Sequence, residues 1–325
     1  MTERSLVDRI DELVDAALAG AAAAPVPADQ ELAAFWRLAV DLREQPDGVF
    51  RARLKEDLMK RAEAMQPVIA VPYVPEGFRS LTPYLIVQGA ARLIEFMKQA
   101  FGAEARLRVD LPDGTIRHAT VRIGDSVVEL ADGGGPWTPE PAAIHLYVED
   151  ADATYARAMA AGATSLIPPT DMPYGDREAD VKDPLGNHWY IGTHQQDGPI
   201  PAGLHSVTPT LHSRGTDRLI DFIKQAFGAQ ELDRTLGRDG AVVHAQLRLG
   251  DSVLELGEAS GFVPEMRCAI HYYVEAVDAV YDRALRAGAA SLGAPEDKPY
   301  GDRAAEIVDP FGNRWFLATQ QKRAS

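Results

Sequence analysis

The stretch "YGDREADVKDPLGNHWYIGTHQQ" runs from Tyr174 to Gln196, and "YGDRAAEIVDPFGNRWFLATQQ" runs from Tyr300 to Gln321. Each holds a polar run, an Asp-Pro turn signal closed by Gly-Asn, and a Trp-bearing segment of strand character. The repeated phrase is the end of a longer duplication. Thr82 and Thr208, His118 and His244, Glu129 and Glu255, His145 and His271, Arg177 and Arg303, and Trp189 and Trp315 are each 126 residues apart. A constant offset over that span means no net insertion, so residues 80–195 and 206–321 are two copies of one unit.

Each unit divides again. "LTPYLIVQGAARLIEFMKQAFGAEARL" and "AIHLYVEDADATYARAMAAGATSLI" share a plan: a strand, a glycine or acidic junction, an amphipathic helix ending at Gly-Ala, and another strand. Thr82 and His145 occupy matching places 63 residues apart, half the repeat. Leu93, Phe96, Met97 and Ala100 share one helix face, as do Tyr155, Ala158 and Met159. Gly102, Gly162, Gly228 and Gly288 stand where a left-handed cap ends a helix. A hairpin follows each first helix, "IRHATVRIGDSVVELAD" in the first unit, with Gly124-Asp125 at its turn. The spacing predicts an α+β protein of four βαβββ modules, forming two curled mixed sheets with clefts and helices on the outer face.

Residues 1–64 read as a helical region, with Asp29 capping its second helix and a stripe of Phe35, Trp36, Phe50, Leu54 and Leu58 for packing or docking. Residues 65–79 are Pro-rich and read as an extended linker, and 196–205 as a second linker. The Ala-rich stretch from Ala16 to Ala28 follows acidic residues, so it reads as a helix end and linker, not a signal peptide.

The chain of 325 residues is long enough for several domains. Its net charge of −15 argues against nucleic acid and anionic membrane surfaces as partners. No apolar run approaches the ~20 residues of a spanning helix. The single cysteine, Cys268, allows no intrachain disulfide and points to a reducing, cytoplasmic setting.

The chemistry-bearing residues follow from strand periodicity. A two-residue turn at Gly124-Asp125 pairs Ile123 with Ser126 and sets Glu129 opposite Thr120. His118 then shares a sheet face with Glu129. The second unit repeats this with Gly250-Asp251, Glu255 opposite Gln246, and His244. "AIHLYVED" puts His145 and Tyr147 on one face, and "AIHYYVEA" does the same with His271 and Tyr273. Each unit thus presents a carboxylate and imidazoles away from its helices. Such a face serves as a pocket lining, as metal ligands or as general acid–base partners, and a duplicated structural histidine would look the same.

Modules carrying "FMKQAFGAE", "HATVRIGDSVVEL" and "YGDREADVKDPLGNHW" resemble the vicinal oxygen chelate superfamily of glyoxalase I, bleomycin-resistance proteins and extradiol dioxygenases. The YGDR…DPFG tail is similar to its PhnB-like branch. The resemblance spans about residues 80–321. It implies ligand positions on the first, fourth, fifth and eighth strands of each unit. These fall on Thr82 and Thr208, Glu129 and Glu255, His145 and His271, and Tyr190 and Phe316. The Glu and His places survive in both copies, whereas the usual eighth-strand Glu is lost. Dioxygenase chemistry is therefore not expected.

The leading expectation is a protein that binds a small organic molecule in a cleft between modules. Its ligand would be lined by His118, His244, Tyr147, Tyr273, Trp137, Tyr174, Arg177, Tyr300, Arg303, Trp189 and Trp315. Arg177 and Arg303 alternatively brace Asp183 or Asp309. A second expectation is a lyase or isomerase working through an enolate-like intermediate. There Glu129 and Glu255 are catalytic, and Glu129, His145, Glu255 and His271 hold a divalent Zn, Ni, Mn or Fe ion. A third is a ligand sensor whose N-terminal helices dock a partner or a second copy of the chain. In single-unit dimers of the superfamily, first- and fourth-strand residues of one subunit face fifth- and eighth-strand residues of the other. An intramolecular pseudo-dimer of this kind would bring Glu129 to His271 and Glu255 to His145. If each unit closed its own cleft, Glu129 would meet His145 instead.

Overall fold

A computed structural model describes residues 73–321 except 197 and 262. The expected N-terminal helices, with Phe35, Trp36 and Phe50, lie outside the described residues. The first unit holds β1 (Leu81–Val87), α1 (Ala90–Phe101), β2 (Glu104–Asp110), β3 (Ile116–Ile123) and β4 (Ser126–Asp132). It continues with β5 (Ala143–Tyr147), α2 (Ala151–Ala160), β6 (Thr164–Asp171), β7 (Asp176–Lys182) and β8 (His188–His194). The second unit repeats the order with β9 (Val207–Ser213), α3 (Thr216–Phe227), β10 (Gln230–Leu236), β11 (Val242–Leu249) and β12 (Ser252–Glu258). It ends with β13 (Ala269–Tyr273), α4 (Val277–Arg286), β14 (Ala290–Asp297), β15 (Asp302–Val308) and β16 (Arg314–Gln320). The βαβββ reading of each module is what the structure shows.

Helix starts are secured in two ways. The Asp150 carboxylate accepts from the backbone N–H of Ala153 and caps α2. For α1, whose cap position is Gly89, Asp132 at the end of β4 accepts from the N–H groups of Gly89 and Ala90 at 2.7 and 2.9 Å. Glu258 does the same for Gly215 and Thr216 at the start of α3. The stripe of Leu93, Phe96, Met97 and Ala100 is buried as its spacing requires.

Neither sheet belongs to one sequence unit. Two eight-stranded mixed sheets form, in the orders β14-β15-β16-β13-β1-β4-β3-β2 and β10-β11-β12-β9-β5-β8-β7-β6. Sheet I joins the first module of unit one to the last module of unit two, and sheet II joins the remaining two. The seams are the antiparallel pairs β1–β13, with Thr82 opposite His271, and β5–β9, with Thr208 opposite His145. The two units are therefore docked as an intramolecular pseudo-dimer.

Reciprocal contacts lock that docking. The tip of the β3–β4 hairpin meets the start of β9: Ser206 N–H donates to Asp125 at 2.9 Å, and Val207 N–H donates to Ser126 Oγ at 3.2 Å. The sister tip receives Ser80 N–H on Asp251 at 2.7 Å and Leu81 N–H on Ser252 Oγ at 3.0 Å. Gly124 is required here twice over. Its φ is 57°, and a Cβ would lie 2.1 Å from Ser206 Oγ. Part of the expected linker is not extended. Residues 73–79 turn, and Phe78 packs edge-on against Tyr273 at 5.8 Å.

The helix-side core respects the units even though the sheets do not. Phe101 of α1 packs on Trp189 of β8 at 4.7 Å, and Phe227 of α3 packs on Trp315 of β16 at 4.6 Å. Val128, Leu130, Ile144, Leu146, Leu254 and Leu256 point into this core. Each unit thus shares one apolar core across two sheets, and the opposite sheet faces are left to form clefts from both units.

Candidate functional site

The hairpin register is the expected one. Ile123 faces Ser126 and Thr120 faces Glu129; in the sister hairpin Gln246 faces Glu255. Because the seams cross the units, each Glu meets the His of the other unit. His271 Nδ1–H donates to Glu129 Oε2 at 2.8 Å, and His145 Nδ1–H donates to Glu255 Oε2 at 3.0 Å. Both carboxylates are buried, on strand faces turned away from the helices.

The first cleft, on sheet I, is aromatic. Tyr84, Trp137 and Phe316 form an apolar cluster separate from the helix-side core. Trp137 stacks on Phe316 at 5.2 Å, Tyr84 lies 5.1 Å from Phe316, and the Arg314 guanidinium sits 5.5 Å over Trp137. Beneath them His118 Nε2 is 3.8 Å from Glu129, and His118 Nδ1 shares a hydrogen bond with the Tyr84 hydroxyl at 3.2 Å. Burial lowers the His118 pKa against the pull of Glu129, so the ring is neutral near pH 7. Tyr273 stacks on His271 at 4.3 Å. A cavity of about 130 Å³ adjoins the cluster, lined by Tyr84, Ile86, Arg267, Cys268 and Arg314 among others.

The second cleft, on sheet II, is polar. Glu255 also accepts from Thr210 Oγ1 and Gln246 Nε2, both at 3.3 Å. His145 Nε2 lies 3.8 Å from Glu178 Oε2. Tyr147 stacks on His145 at 4.3 Å and donates to Asp176 at 3.0 Å, whose other oxygen accepts from His194 Nδ1–H at 2.6 Å. Tyr174 at the rim donates to Glu178 at 3.0 Å. Burial opposes charge on His145, yet Glu255 beside it outweighs burial and raises the imidazole pKa. Burial likewise pushes the Glu255 carboxyl up, and His145 pulls it further down, so the pair is held as ions. Burial and the neighbouring Glu178 raise the Asp180 pKa to about 7. His212, bonded to the Tyr190 hydroxyl at 2.9 Å, is lowered to about 4 by burial.

Several expected lining residues lie elsewhere. Trp189 and Trp315 are fully buried on the helix side, where each indole N–H donates to an Asp of the turn: Asp183 at 3.0 Å and Asp309 at 3.1 Å. They are structural pins, because position 189 has the opposite strand parity from Tyr190. Arg177 and Arg303 also point away from the clefts. Arg177 forks onto Asp152 at 2.7 and 2.8 Å and Arg303 onto Asp278 at 2.6 Å, bracing the sheet to a helix start. The brace is of the expected kind, but its partners are not Asp183 or Asp309. Tyr300 is exposed at the rim of the first cleft, near Tyr84 and Tyr273. His244 lies partly buried on β11, near Glu255.

The sequence reading missed Tyr84, Asp176, Glu178, Asp180 and His212. The signal for three of them was present, since Asp176, Glu178 and Asp180 alternate along "DREADVK". Acidic alternation ordinarily marks a solvent face, and here that face is buried.

The donors do not fit a resident divalent ion. In each cleft the Glu and His bond to one another, and the remaining two family positions hold Thr and Tyr or Phe. Among the described residues no three His, Cys, Asp or Glu side chains gather in metal-binding geometry.

The sequence profile of the Glyoxalase/Bleomycin resistance protein/Dioxygenase superfamily matches residues 79–191 and 207–317. The chain therefore belongs to that superfamily, with two tandem copies of its domain. It is 42% identical over 124 residues to uncharacterized proteins of Mycobacterium bovis and Mycobacterium tuberculosis, covering 35% of this chain and 82% and 73% of theirs. Glyoxalase I from Zea mays shares the fold with a TM-score of 0.58 at 20% identity, over 74% of this chain and 92% of that one.

Proposed function

We propose that the protein binds a small, flat organic molecule in the first cleft. The observation that carries this reading is the cluster of Tyr84, Trp137 and Phe316 on the cleft side, set beside a cavity of about 130 Å³. Three large rings gathered over a buried Glu–His pair give an apolar wall with a polar floor. That is the usual make-up of a small-molecule site. The guest packs against the Trp137–Phe316 stack, Arg314 draws an electron-rich ring or carboxylate, and His118 and His271 offer N–H groups to its oxygens. Cys268 is buried and its thiol is pushed up to about 12 by burial, so it takes no nucleophilic part. The cytoplasm suits a chain whose one thiol is inert.

A second reading is a lyase or isomerase in which Glu129 or Glu255 moves a proton. It is favoured by a buried Glu–His pair in each cleft. The sensor reading rests on residues outside the described region.

The test is mass spectrometry of small molecules released by denaturing freshly purified protein. Wild type is expected to release a bound aromatic compound that a Trp137→Ala, Phe316→Ala variant does not retain. An identical release from both proteins, or none from either, would overturn the reading.

A further inference from the structure

Among the described residues, three buried polar atoms of the second cleft find no hydrogen-bond partner; one is His212 Nδ1, on a ring already bonded to Tyr190 and set against Gly257. His145 and Asp180 are each 8% exposed, yet His145 Nε2 and Asp180 Oδ1 have no hydrogen-bond partner. Their neighbours are already engaged. Asp176 is held by Tyr147 and His194, and Glu255 by His145, Thr210 and Gln246. Glu178 accepts only from Tyr174 and stands 3.8 Å from the free His145 nitrogen. Buried polar groups are ordinarily paired, so an unpaired donor and acceptor beside a part-used carboxylate describe the outline of a missing partner.

Gly192 keeps that space open. It lies opposite Glu178 in the β7–β8 ladder, and a Cβ there would lie 3.0 Å from His145 Nε2 and 3.2 Å from Tyr147. Its φ is not positive, so the backbone makes no demand for glycine. Glycine weakens a strand interior, and one without a backbone reason marks a close approach by something else. The first cleft differs: the place of Asp180 is taken by Glu306, which pairs with Arg314 at 2.9 Å. One repeat further on, Glu178 becomes Ala304 and Gly192 becomes Ala318. Duplication copies structural residues into both units, so these features are particular to the second cleft.

The chemistry of the partner follows. Asp180 and Glu178 call for a donor, preferably cationic, since the two carboxyls share a face two residues apart on β7 and, among the described residues, neither is bonded to an Arg or Lys. His145 Nε2–H calls for an oxygen acceptor a short distance away. Tyr147 and Tyr190 supply ring faces and edges of the kind that favour ammonium groups. We propose that the second cleft is a binding site for a small protonated amine bearing a neighbouring oxygen, an amino alcohol or amino ketone. The ammonium sits between Asp180 and Glu178, and the oxygen accepts from His145. This site is independent of the aromatic guest assigned to the first cleft.

The experiment titrates full-length protein with ethanolamine, and with ethylene glycol and glycolate as neutral and anionic counterparts of similar size. Binding is read by ¹H–¹⁵N chemical shifts. Ethanolamine is expected to saturate, with shifts centred on β7, β8 and His145, and to bind at least about tenfold more tightly than either counterpart. Asp180→Asn should weaken it by about tenfold or more. Gly192→Ala, which fills the space without touching charge, should abolish it while leaving the spectrum folded. Equal binding of the three probes, no saturation by ethanolamine, or undiminished binding in both folded variants would overturn the proposal.

Discussion

Where the first cleft places Tyr84, Phe316, Ala304 and Ala318, the second places Thr210, Tyr190, Glu178 and Gly192. Between them run elements that did not change: the Glu–His pair, the Asp-Pro turn, and the Trp whose indole is bonded to that turn's Asp. The contrast separates two kinds of residue. Those that fix register and core are shared by the copies, because each copy must fold and dock on the other. Those that only face the cleft have diverged in part: Tyr84, Ala304 and Ala318 stand where the second cleft has Thr210, Glu178 and Gly192, while Asp302 and Glu306 keep the carboxyls of Asp176 and Asp180. A duplicated pair in one chain can do this, whereas a symmetric homodimer carries the same residues in both clefts.

The shared elements should respond alike. Trp189→Ala and Trp315→Ala each empty a fully buried site and free a buried Asp, so each is expected to lose ~3–5 kcal/mol of stability. Chemical denaturation checks this. A loss confined to one of them would show that the two cores are not equivalent despite their matching contacts.

The Glu–His pairs should respond unequally. Glu255→Ala strands an imidazolium whose side chain is 10% exposed, and breaking such a pair is expected to cost ~3–5 kcal/mol. His271 has a side-chain exposure of 15% and lies in the cleft that adjoins the cavity, so water reaches it more easily. Glu129→Ala is therefore expected to cost less, ~1–3 kcal/mol. Equal losses would remove the distinction between a closed polar cleft and an open aromatic one.

Asp180 sharpens the comparison through pH. Its pKa rises from 3.8 to about 7 on folding, by burial first and the charge of Glu178 second. The native state then keeps a proton that the unfolded chain has lost between those values. The contribution of Asp180 to stability is fully present below pH 4 and is lost as pH rises through 7. Discounted for water entering the cleft, the loss is on the order of 2 kcal/mol. Asp180→Asn should lack this dependence. Denaturation midpoints at pH 5 and pH 8 that shift equally in variant and wild type would contradict it.

Much of this was legible in the sequence. A fixed repeat offset gives the modules, and strand parity gives the register that sets Glu129 and Glu255 on the cleft face. The pairing of Glu129 with His271 follows once the units are treated as a pseudo-dimer. What parity alone could not supply is which face of β7 is covered. In a strand whose side chains alternate between acidic residues and Arg, Ala, Val and Lys, either face can be the wet one until the sheet order is known. The same ambiguity misplaced Trp189 and Arg177. Both stand in a phrase whose repetition suggested a function, although duplication preserves a brace as readily as a binding residue. Tyr84 was missed because "LTPYLIV" reads as a uniformly buried strand, which hides that its alternate positions Thr82, Tyr84 and Ile86 face away from the helix-side core.

Arg177 and Arg303 give the smallest expected effect and the cleanest separation of brace from mouth. Each guanidinium forks onto the Asp in the first turn of the preceding helix, Asp152 on α2 or Asp278 on α4, and reaches a second carboxylate on the adjoining strand, Asp171 or Asp297. All four carboxylates are solvent-exposed, so water replaces much of what the arginine supplies. Strand parity also sets both side chains on the face opposite Asp176 and Asp302. Arg177→Ala and Arg303→Ala should therefore leave the denaturation midpoint close to wild type, weakened further in its difference by added salt. Neither should alter ligand retention in the first cleft or ethanolamine binding in the second. A variant that kept its stability but lost either ligand would return the arginine to the cleft mouth, and would mean that β7 or β15 rotates its outer face inward when the cleft is occupied.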